Sequence, residues 1–141
     1  VDAARHAATH ARPDTAWRAG PLVADFTFDG TLDVALLGEH AGAAVIAVVA
    51  GPVAKDAGVL LLAPPDRPGA KGGRCGPARA ATLAIEEPGI PEDLRTPGNA
   101  ALAARLREAA SAGGRGLRLA SSGCDARHVH FDGKGLGWWR R

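Results

Sequence analysis

Two stretches, AAVIAVVA at residues 43–50 and VLLLA at residues 59–63, decide the fold. The first is β-branched at half its positions and bracketed by glycines, which reads as a strand and not a short helix. The second is stopped by Pro64-Pro65. Upstream, PLVA at residues 21–24 leads into the polar stretch DFTFDGTLD at 25–33, and VALL at 34–37 leads out. Apolar strand, polar loop, apolar strand is a hairpin pattern. Turns at residues 38–42 and 51–58 complete a meander of four short antiparallel strands over residues 21–63. A strand wet on one face alternates, and the two stretches at 43–50 and 59–63 do not, so both faces of the sheet need cover.

Residues 64–77 form a Gly/Pro-rich loop, and RAATLAI at 79–85 reads as a fifth strand. A helix is expected near residues 99–112. Its alanines favour helix, Leu102 and Leu106 share a face, and Gly113-Gly114 ends it. Residues 117–120 read as another strand. A last hairpin over 127–131 and 136–139 turns at residues 132–135. The expected fold is α+β: mostly antiparallel sheet with one packed helix. The helix should cover one face of the strands, with Leu102 and Leu106 against the sheet, and the C-terminal strands the other. Residues 1–20 lack a clear period and read as a loosely held arm anchored by Trp17. Residues 21–141 then form a single domain.

With 141 residues, 17 basic and 15 acidic side chains and a net charge of +2, the chain has no excess charge for nucleic-acid binding. The longest apolar run, residues 41–54, is broken by Gly51-Pro52 and falls short of the ~20 residues of a membrane span. No targeting segment is legible. Val1 is read as the start either of a trimmed chain or of a mature secreted one.

The chemistry lies in residues 25–33. Asp25, Thr27, Asp29, Gly30 and Asp33 fit D-x-[DNST]-x-D-G-x-x-D. Hard cations such as Ca²⁺ take six to eight oxygens, and a tight loop can aim positions 1, 3 and 5 inward together. Glycine at position 6 permits the bend. Thr31 would offer its carbonyl and Asp33 a carboxylate. An EF-hand needs Glu at position 12, where this chain has Leu36. The strand–loop–strand setting of VADFTFDGTLDVALL, residues 23–37, resembles instead the calcium loop of the FG-GAP/VCBS repeats of integrin-type propellers, and loosely one four-stranded blade as far as Ala63. That resemblance implies an extracellular or periplasmic, calcium-stabilised binding module without catalysis. Thr27, where the family usually carries Asp or Asn, is a neutral ligand and implies weak affinity. Without a cation, the same residues read as a polar hairpin loop turned by Asp29-Gly30. FDGTL also resembles the DxDGT motif of haloacid-dehalogenase phosphatases, but Thr27 stands where that motif has its nucleophilic aspartate.

Other groups carry alternatives. His128 and His130 share one face of a strand and begin a zinc site that Asp132 or Cys124 could complete. The plainer reading is a solvent-facing strand surface with Val129 and Phe131 inward. In an exported protein Cys75 and Cys124 would pair, and in a cytoplasmic one they would stay free. Trp138 and Trp139 suit a protein interface, or pack within the domain. The expected function is a small exported, calcium-stabilised binding or structural domain with an unidentified protein partner. The alternatives are a periplasmic inhibitor or immunity-type protein using residues 64–78, and a small metal-dependent hydrolase.

Overall fold

The computed structural model describes residues 2–63, 80–90, 97–121 and 126–140. Helix α1 (Asp2–Ala11) precedes strands β1 (Ala16–Trp17), β2 (Leu22–Ala24), β3 (Asp33–His40), β4 (Ala43–Val49) and β5 (Val59–Leu62). Then follow β6 (Thr82–Glu86), α2 (Ala100–Ser111), β7 (Gly116–Ala120), β8 (Arg127–Phe131) and β9 (Leu136–Arg140). The fold is α+β and dominated by antiparallel sheet, as the sequence predicts.

The strands form two sheets. The first has the order β1-β3-β4-β5, with β2 also paired to β3; the second is the meander β6-β7-β8-β9. The β3–β4 hairpin is closed by Ala41 and Gly42, at φ +50° and +80°. Positive φ at both central residues suits the twist of a two-residue hairpin. The hairpin therefore runs to His40 and takes in Gly38, where the sequence predicts a turn over residues 38–42. A methyl group on Gly38 would lie 2.6 Å from both Thr15 and Trp17, so glycine lets β1 and its flank close over β3.

Alternate residues of β3 and β4 serve two cores. Ala35, Leu37, Ile46 and Val48 pack with Ala81, Leu117, Leu119 and Val129, so the two sheets share one interior. Val34, Leu36, Ala47 and Val49 pack with Ala4, Ala7 and Ala8 of α1. Both faces of β3 and β4 are thus covered from within the chain, whereas β5 is only partly covered and leaves Leu61 exposed. The C-terminal strands cover one face as expected, but the other cover is α1 and not residues 99–112. The expected arm is in large part this helix. Its buried face is alanine alone, which lets the helix approach closely but gives little apolar signal in sequence. Helix α2 buries Ala103 and Leu106 with Ile90, and Phe28 and Leu102 pack alongside.

Candidate functional site

Loop 25–33 folds around its own carboxylates. Asp25 accepts the Asp29 N–H on Oδ1 at 3.1 Å and the Gly30 N–H on Oδ2 at 2.9 Å. Asp29 Oδ1 accepts the Thr31 N–H at 2.9 Å. Gly30 takes φ +83°, the bend expected of it, and Phe28 takes +62°. A side chain in that region costs about 1–2 kcal/mol. The Phe28 ring is held in place by Gly114, whose methyl, if it had one, would lie 2.5 Å from the ring, and by an edge-on contact with Phe131 at 6.1 Å. The Arg115 N–H donates to the Asp25 carbonyl at 3.0 Å, tying the loop to the segment after α2.

Asp33 is fully buried. Its Oδ2 accepts the Phe26 and Thr27 N–H groups at 2.8 and 2.9 Å and the Thr27 hydroxyl at 3.0 Å. Its Oδ1 accepts the Gly51 N–H at 2.7 Å. A methyl on Gly51 would collide with the Leu32 carbonyl, so only glycine brings the β4–β5 turn this close.

One oxygen each from Asp25, Asp29 and Asp33 lies within 4.8 Å of the others. Among the described residues this is the one His/Cys/Asp/Glu group with metal-binding spacing. The roles within it are unequal. An ionised carboxylate offers about four acceptor sites. Asp33 already receives four donors, whereas Asp25 receives two and Asp29 one. Asp25 and Asp29 therefore hold the free acceptor capacity, on the solvent side. Thr27 donates its hydroxyl to Asp33, and the bond made by Thr31 is through its N–H.

The second polar cluster lies on the outer face of the β6–β9 sheet. His128 Nδ1 is 2.6 Å from Glu86 Oε2, and its ring stacks on Trp139 at 4.0 Å. His130 is 7% exposed, and its Nδ1 has no hydrogen-bond partner. The two histidines do share a strand face, but they are not solvent-facing: one is half-buried and hydrogen-bonded to Glu86, the other buried. Val129 is in the shared core as expected. Asp132 Oδ1 instead accepts the Lys134 and Gly135 N–H groups at 2.9 Å, closing the β8–β9 turn. These bonds hold its carboxyl below the usual range. Trp138 packs against the core beneath the Arg127 guanidinium, 5.4 Å away, and Trp139 lies on the opposite face. Both tryptophans are half-buried within the domain. Cys75, Cys124 and their expected pairing, and residues 64–78, lie outside the described residues.

Glu86 and Gly51 escape a reading of sequence. Glu86 is 42 residues from His128, and Gly51 is 18 from Asp33. Only strand register brings each pair together.

Burial lowers the His130 pKa from its ordinary 6.5; Asp132 opposes the shift and Arg105 adds to it. The unfolded chain then binds this proton more readily than the native one. His130's contribution to stability is present above pH 6.5 and lost as pH falls through 6.5 toward the native value. Denaturant titrations at about pH 7.5 and about pH 5.5 should show a larger loss for the native sequence than for His130→Phe. Equal losses would assign the slope to other groups.

Fold and site together define a sheet-dominated α+β domain with a self-braced acidic loop at the junction of its two sheets. No protein-family model, curated protein or solved structure matches the chain.

Proposed function

We propose that the chain is a small exported binding or structural domain, without catalysis of its own, stabilised by calcium at loop 25–33. The observation behind this reading is the convergence of three carboxylate oxygens within 4.8 Å. Like charges so close repel, and a divalent cation relieves the repulsion. Asp25 and Asp29 supply the ligand oxygens, and Asp33 shapes the loop and adds charge. With two carboxylates available and Thr27 neutral, the affinity belongs in the weak range of extracellular modules, roughly 10⁻⁴–10⁻³ M. The FG-GAP/VCBS resemblance of residues 23–37 supports the same reading, and the likeness to a binding module implies a protein partner.

The test is thermal and chemical unfolding with and without calcium. At about 10 mM calcium and a Kd of about 1 mM, mass action adds about 1.4 kcal/mol. Asp25→Asn with Asp29→Asn should remove that increment while leaving the calcium-free stability close to the parent's. Unchanged stability of the parent at this concentration overturns the reading.

A hydrolase centred on His128 and His130 has less support. Glu86 orients His128, but among the described residues no hydroxyl or thiol is hydrogen-bonded to that imidazole.

A further inference from the structure

Beside the acidic loop, a cleft of about 330 Å³ opens between α2 and the β8–β9 turn. Phe28, Phe131 and Ala109 form its apolar wall, and Arg105 and Glu108 stand in its lining. The two rings are set before any ligand arrives. They meet edge to face at 6.1 Å, and Phe28 is held at positive φ against Gly114. The Arg105 side chain is set as well. It donates one N–H to the Asp132 carbonyl and lies on Gly133, where a methyl would stand 3.3 Å from Nη1. A guanidinium carries five N–H donors, so most of them remain. Asp132 does not take them: its Oδ1 closes its own turn, and it forms no ion pair with Arg105. Glu108, three residues further along α2, makes no side-chain hydrogen bond or ion pair among the described residues. Residues three apart on a helix lie about 5–6 Å apart at Cβ. A positioned cation and an unpaired anion therefore flank one apolar cleft at short range without pairing with each other.

We propose that this cleft binds a free hydrophobic α-amino acid. The ligand carboxylate meets the Arg105 guanidinium, whose planar donor fork suits it. The ammonium meets Glu108, and the side chain lies against Phe28 and Phe131. The charges select this class. A zwitterion satisfies both groups, whereas an anion meets Glu108 as a like charge and a cation so meets Arg105. A hydrocarbon leaves both unused. The carboxylate and ammonium of an α-amino acid sit on one carbon, which matches opposite charges one helical turn apart. The volume lies at the lower end of the ~300–1,000 Å³ of small-molecule sites, which suits a ligand of this size. Because Arg105 and both rings are already positioned, binding orders few groups. Thr27 and Phe28 reach the cleft from loop 25–33, whose shape Asp33 braces without a cation, so binding does not require calcium.

The probes are L-phenylalanine and L-leucine, titrated in the presence of a chelator. Three controls each lack one feature: N-acetyl-L-phenylalanine the ammonium, L-phenylalaninamide the carboxylate, and glycine the side chain. The readout is the backbone amide resonances of Phe28, Ala109 and Gly133. At least one probe should shift them saturably, with a Kd of roughly 1 mM, as expected for so small a ligand. Each control should bind at least about fivefold more weakly. Arg105→Gln and Glu108→Gln should each weaken the probe by at least about fivefold. Both side chains are exposed, so either variant serves if the other fails to fold. No saturable shift from either probe at about 10 mM overturns the proposal, as does a control or a folded variant weakened by less than about fivefold. With chelator present throughout, these results are independent of the calcium titration.

Discussion

Asp33→Ala should cost about 3–5 kcal/mol of unfolding free energy, and should do so in the absence of calcium. The substitution strips the acceptor from the N–H groups of Phe26, Thr27 and Gly51 and from the Thr27 hydroxyl. The carboxylate is fully buried, so water does not readily take its place. Each buried donor left unpaired costs about 1–3 kcal/mol, offset in part because the charge no longer has to be desolvated. Asp33→Asn should recover about half of the loss. Its amide oxygen can serve the three donors on one side, but its NH₂ then faces the Gly51 N–H. Urea titrations in a chelator decide the matter. A loss below about 1 kcal/mol for Asp33→Ala would mean that the loop does not depend on this carboxylate. The solvent-side Asp25 and Asp29 should behave in the opposite way, with little effect until calcium is added.

That division of labour shows where sequence reading reaches and where it stops. The spacing of Asp25, Asp29, Gly30 and Asp33 is local, and the loop and its bend were legible from it. Asp33 was legible only as an acidic ninth position. Its role as a brace depends on Gly51, which approaches from a turn one hairpin later. The apolar runs at residues 43–50 and 59–63 called for cover on both faces; β4 has it, because composition reports burial whatever does the burying, while Leu61 of β5 stays 37% exposed at the sheet edge. Which element supplies the cover is a tertiary question. Helix α1 presents Ala4, Ala7 and Ala8 to the sheet among His and Arg residues, a face too small to stand out by hydrophobicity. Leu102 and Leu106 were the louder signal, yet α2 went elsewhere.

The consequence for α2 is the second large effect, expected for Leu106→Ala at about 2–5 kcal/mol. Leu106 is fully buried between Ala103 of its own helix and Ile90 of the segment after β6, with Phe28 of the acidic loop beside it. Truncation removes three carbons from a site where Phe28 cannot easily collapse inward. That ring is already placed by Gly114 and Phe131, on a backbone with positive φ. A cavity that cannot close puts the cost in the upper half of the range. Leu102, one turn earlier, is only half-buried and lines a cleft between α2 and the β6–β9 sheet, so Leu102→Ala should cost about 1 kcal/mol or less. Chemical denaturation of the two variants side by side measures the difference. Equal losses would mean that the helix presents a broader face than Ala103, Leu106 and Ala109. A large loss at Leu106 with an unchanged denaturant slope would show that α2 belongs to the same cooperative unit as the two sheets. Phe28 belongs to the acidic loop and packs against the Leu106 cluster, so Leu106→Ala should also weaken the proposed calcium binding, without touching a single ligand oxygen.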